Sequence, residues 1–95
     1  MKTIKYNNID YELEKDYKEG FDLELFNDAI RETDYFNEFD YIFGDYSYGK
    51  IRLKGFFDSK NKKTKKINDI KNLDNYIKKY CSYECRYFLL KKIKK

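Results

Sequence analysis

Residues 40–58 read DYIFGDYSYGKIRLKGFFD. Tyr41 to Tyr46 is aromatic and rich in residues that favour strands. Ser47, Tyr48 and Gly49 form a turn signal, in which Gly49 can take a positive φ at no steric cost. Lys50 to Phe57 then alternates, with Ile51, Leu53 and Phe57 on one face and Lys50, Arg52, Lys54 and Phe56 on the other. The stretch predicts an antiparallel hairpin with one face in the core.

Outward from the hairpin, each flank repeats the same grammar. Ile9, Tyr11 and Leu13 alternate and predict a strand. Lys15 to Gly20 is a polar loop. Asp22 is placed to cap a helix in which Leu25, Phe26, Ala29 and Ile30 share a face, from about residue 22 to the mid-thirties. Beyond the hairpin, DSKNKKTKKIN at 58–68 is a basic loop. A second helix follows from residue 68 or 69 to Tyr80, with Ile70, Leu73, Tyr76, Ile77 and Tyr80 as its apolar stripe. The run CRYFLL at 85–90 predicts a strand buried on both faces. The order β, α, β, β, α, β predicts an α+β fold in which two helices pack on one face of a mostly antiparallel sheet of four or five strands. The 95 residues form one domain, 1–95, with 1–8 and 91–95 expected to fray.

Composition supports a packed core: 41% of the chain is hydrophobic and 20% is aromatic, which disordered chains are not. No apolar run approaches the roughly 18 residues that span a bilayer, and Met1 to Asp10 carries no signal-peptide core, so no membrane association is expected and the cytoplasm is the default location. Two cysteines, Cys81 and Cys85, are expected to be reduced there and to pack as small side chains. Their spacing is not that of a redox motif, and without histidine they cannot complete an ordinary zinc site.

The charge is divided along the chain. Met1 to Gly49 holds 5 basic and 13 acidic residues, a net of −8, whereas Lys50 to Lys95 holds 16 basic and 4 acidic, a net of +12. Such asymmetry points to an anionic partner. The competing explanation is a solvated face, because 18 of the 21 cations are lysine, which is poorly suited to bidentate phosphate recognition.

Three segments carry a family resemblance: YELEKDYKEGFD at 11–22, DYIFGDYSYGKIRLKGFFD at 40–58 and YCSYECRYFLLKK at 80–92. Together they resemble the YutD-like family, small proteins of low-GC Gram-positive bacteria, in consistent order over nearly the whole chain. The chain departs from that pattern at Tyr46, where a tryptophan is expected, and in the lysine-rich loop 60–66. The resemblance implies a cytoplasmic bacterial protein of compact α+β fold. It implies no activity and supplies no catalytic residues.

Catalytic chemistry is not legible. The chain has no histidine, and its serines, glycines and carboxylates form no known motif. No catalytic residue, metal ligand or cofactor is assigned, and the chain is expected not to be an enzyme. The leading expectation is a binding module for RNA or another polyanion. Arg52, Lys54, Lys62, Lys63, Lys65 and Lys66 are the candidate anion contacts, and Tyr46 and Tyr48 the candidate stacking platform. The alternative is a protein partner docked on the acidic first helix, through Asp22, Glu24, Asp28 and Glu32, or added at a sheet edge. Arg52 and Arg86 have a structural reading as well, for example Arg52 paired with Asp45 across the hairpin.

Overall fold

The computed structural model describes residues 3–6, 9–31, 35–80 and 85–93. Five strands, β1 (Thr3–Tyr6), β2 (Ile9–Tyr17), β3 (Tyr41–Ser47), β4 (Lys50–Phe56) and β5 (Tyr87–Lys92), form one sheet in the order β1-β2-β5-β3-β4. Every neighbouring pair is antiparallel. Helices α1 (Leu23–Ile30) and α2 (Leu73–Tyr80) cover the sheet.

The hairpin forms as its sequence predicts. Asp45 faces Arg52 and Ser47 faces Lys50. The two turn residues, Tyr48 and Gly49, both take positive φ, at 52° and 76°. That is the turn whose twist matches a two-residue hairpin. Asp22 caps α1 as expected, accepting from the Leu25 amide at 3.1 Å.

Strand β5 lies in the middle of the sheet, paired with β2 on one side and β3 on the other. Its side chains alternate between two cores. Phe88 and Leu90 join Tyr11, Ile42 and the α1 residues Phe26 and Ile30. Leu89 joins Phe43, Phe56 and the α2 residue Leu73, with Tyr76 and Ile77 packed alongside. Because Ile42 and Phe43 are consecutive in β3, these two cores lie on opposite faces. The α+β architecture is therefore as predicted, but the helices sit one on each face of the sheet rather than together. The physical reason is that β3, β4 and β5 all carry large apolar side chains on both faces, and each face needs its own cover.

Two further differences concern the ends. Residues Thr3–Tyr6, expected to fray, pair with Glu12 to Ile9 as β1, and Ile4 is buried. Lys91 and Lys92 belong to β5, and the Ile93 amide donates to the Asp10 carbonyl at 2.8 Å. Lys94 and Lys95 lie outside the described residues. No helix among the described residues is long and apolar enough to cross a membrane.

Close approach fixes Gly44. A Cβ at Gly44 would fall on the ring of Phe88, the residue facing it across the β3–β5 ladder. Gly44→Ala is expected to cost about 1–3 kcal/mol through overpacking. Thermal unfolding should show a lower Tm by roughly 4–8 °C per kcal/mol.

Candidate functional site

The α2 face of the hairpin carries Asp45, Arg52 and Lys54. Asp45 is buried, with 3% of its side chain exposed, and Arg52 closes over it. Arg52 Nε donates to Asp45 Oδ1 at 3.0 Å and its Nη2 to Oδ2 at 2.6 Å. This is the pair offered by the structural reading of Arg52, and it commits Arg52 to the fold. The hydrogen bond to Asp45 also raises the guanidinium pKa further above its ordinary value. Lys54 stands over the rings of Phe56 and Tyr76, at 5.2 and 5.6 Å.

Tyr46 occupies the opposite, α1 face of the sheet. Its hydroxyl donates to the Gly20 carbonyl at 2.5 Å, and the Arg86 guanidinium covers its ring at 4.4 Å. Burial raises its pKa. Tyr48 is fully exposed at the hairpin tip. Lys62, Lys63, Lys65 and Lys66 follow the other end of β4. Six strand steps, from Lys50 to Phe56, put about 20 Å between tip and loop. The structure thus does not bring the two tyrosines together with the four loop lysines, and Tyr46 faces away from Arg52 and Lys54.

The loop at 58–68 is built rather than loose. Buried Asp40 accepts from the Asp58 amide at 2.8 Å and the Asn61 side chain at 3.0 Å. Thr64 donates its hydroxyl to the Asp58 carbonyl. Asp69, also buried, accepts from the Ser59 hydroxyl at 2.5 Å and the Lys71 amide at 3.0 Å. The Ser59 hydrogen bond leads the effects that hold its carboxyl below its ordinary pKa. Lys63 pairs with Glu38 at 3.0 Å. Lys62, Lys65 and Lys66 are exposed and form no ion pair among the described residues.

A groove does form beside this loop, between α2 and β4. It has a volume of about 410 Å³ and is lined by Lys54, Lys66, Ile67, Tyr76, Lys79 and Tyr80 among others. Ile67 is 75% exposed and Tyr80 51% exposed. The rings of Tyr76 and Tyr80 lie 4.7 Å apart. Lys54, Lys66 and Lys79 form no ion pair among the described residues. A second hollow of about 400 Å³ continues along β4, where Tyr35, Phe39 and Leu53 join the lining. Four of these residues, Ile67, Tyr76, Lys79 and Tyr80, were not among the sequence candidates; the helical spacing of the two tyrosines reads as a core stripe. A third hollow, near Asp40, Asp58 and Lys92, is committed internally: Asp40 holds the loop, and Lys92 donates to the Asn37 carbonyl at 2.6 Å.

Helix α1, on the other face, is acidic. Glu24 and Asp28 lie on α1 beside the exposed Leu23 and Leu25, and Asp28 pairs with Arg31 at 2.7 Å. Glu32 lies outside the described residues. Because α1 comes from the acidic half and α2 from the basic half, opposite placement keeps much of the two charges apart. Ion pairs that join the two halves include Arg52–Asp45, Lys63–Glu38 and Lys91–Glu14, the last at 4.0 Å. Among the described residues no group of three or more cysteine or acidic side chains could hold a metal ion. Cys85 is disulfide-bonded, which corrects the expectation of a reduced thiol; Cys81 lies outside the described residues.

What the fold and groove define is a small α+β module with a basic, partly apolar surface on one side. The chain belongs to the YutD-like family: the family model described as "Putative antitoxin YutD-like" matches residues 5–91. It is 46% identical over 92 residues to "Putative antitoxin YutD" of Bacillus subtilis (strain 168), covering 97% of this chain and 99% of that protein. It is also similar to the solution NMR structure of the protein yutD from B. subtilis, with a TM-score of 0.80 and 44% identity, over 100% of this chain and 84% of that one.

The Arg52 fork yields a stability test. Arg52→Met leaves the Asp45 carboxylate without its guanidinium. It is expected to cost about 1–3 kcal/mol, less than a fully buried pair because Arg52 is half exposed. Adding Asp45→Asn should recover part of that loss in urea unfolding. An unchanged midpoint for Arg52→Met would show that the pair is not structural.

Proposed function

We propose that this chain is a non-catalytic binding module that acts on a protein partner through the groove between α2 and β4. The observation that carries the reading is the groove's lining: Lys54, Lys66 and Lys79, without ion pairs among the described residues, beside the exposed apolar side chain of Ile67. Charge of one sign beside uncovered apolar surface is the chemistry of a docking site for an acidic, partly apolar surface. The relative's name, "Putative antitoxin YutD", fits a protein that restrains another macromolecule. The non-catalytic part of the reading rests on the absence of histidine from the chain and on the use of Asp40, Asp45 and Asp69 in structural hydrogen bonds.

A second reading, binding to single-stranded RNA, is favoured by one observation, the Tyr76 and Tyr80 rings beside Lys54 and Lys79. On this reading the stacking platform is α2 rather than Tyr46 and Tyr48.

Nuclease treatment separates the two. The chain, used as bait in bacterial lysate, is expected to hold a protein complex that survives RNase. The combined change Lys54→Glu, Lys66→Glu and Lys79→Glu should weaken that complex tenfold or more while leaving the circular dichroism spectrum intact. Loss of all binding on RNase treatment would support the RNA reading instead.

A further inference from the structure

Strand β4 is an edge of the five-stranded sheet. The returning chain covers only the residue after it: the Phe57 amide donates to the Asn68 carbonyl at 2.7 Å, and the Ile70 amide donates to the Phe57 carbonyl at 3.0 Å. From Lys50 to Phe56 the outer edge pairs with no strand among the described residues. An edge of this length is a template for another strand.

We infer that β4 accepts an extended acidic segment of a partner protein as an additional strand. The inference rests on the protein-partner reading above and specifies how that partner is held. Three observations select the occupant. First, the hollow that runs along β4 follows consecutive residues of the edge strand, Arg52 to Gly55, and is flanked by the side chains of Phe39 and Ile67. An extended peptide can match the alternating amides and carbonyls of an edge, which a nucleic acid backbone cannot. Second, the two sides of the edge differ. Ile51 and Leu53 lie toward the α1 face, Leu53 sharing a hollow with Phe39 and Tyr35, and Lys54 lies toward the α2 face, in one groove with Lys66 and Lys79. An added strand has side chains that alternate between those two sides. Apolar residues on the first side and carboxylates on the second complete the match. Third, charge disfavours a second copy of β4. Antiparallel edge-to-edge pairing of two KIRLKGF strands sets cations among Lys50, Arg52 and Lys54 against one another, the arrangement by which edges resist self-association. Arg52 plays no part in recognition, because Asp45 holds its guanidinium.

The test is selection from a displayed library of random nine-residue peptides on the full chain at low salt. Selected peptides should carry Asp or Glu at every second position with apolar residues between. Hydrogen exchange of the complex should show new protection at amides of residues 50–56, and the Lys54, Lys66 and Lys79 reversal should weaken binding tenfold or more. Enriched peptides without acidic alternation, protection confined to α1 or β1, or preferential binding of a single-stranded oligoribonucleotide at the same salt would overturn it. The two readings fail separately. A protein complex that survives RNase and is lost on the triple reversal, yet leaves β4 amides unprotected, refutes strand addition alone. If no protein complex forms, both readings fall.

Discussion

The structure depends on β5 being buried on both of its faces. It is flanked by β2 and β3, and its consecutive residues Phe88, Leu89 and Leu90 point alternately into two separate cores. A strand of that kind cannot be stabilised by helices on one side only, since the other side would leave Leu89, Phe43 and Phe56 in water. Each helix therefore takes one face. Because the acidic half of the chain supplies α1 and the basic half supplies α2, the packing requirement also separates charge.

The basic side is then shaped by carboxylates that are not available to a ligand. Asp40 and Asp69 are spent on the backbone and side chains of the loop between β4 and α2. Asp45 is spent on Arg52. These buried acids hold the loop and hairpin in place and leave Lys54, Lys66 and Lys79 around a groove whose floor is Phe56 and Tyr76. The uncovered edge of β4 borders the same groove, so charge, apolar surface and backbone hydrogen-bonding capacity converge at one place.

Much of the fold was legible in the sequence because it is local. The two-residue alternation and Gly49 located the hairpin, Asp22 marked the start of α1, and CRYFLL announced a strand buried on both sides. The pairing of Arg52 with Asp45 across the hairpin was legible as one of two readings of that arginine. Less local features were hidden. β1 is four residues long and gains its order from pairing with β2. The side of the sheet that each helix covers is a tertiary outcome; its signal was present in Phe43 and Phe56, which share a face with the lysines of β4 and would otherwise have been exposed. For the same reason Tyr76 and Tyr80 read as core, whereas only Tyr76 reaches the sheet deeply and Tyr80 is left at the rim of the groove.

The central claim is that β4 is an uncovered edge on the basic side of the molecule. Amide hydrogen exchange on the free protein tests it directly. Amides of β5 and β3 should exchange slowest. Those of β4 should alternate between slow positions paired to β3 and fast positions facing outward. Uniform protection along Lys50–Phe56 would mean that the edge is already covered, and would contradict the account.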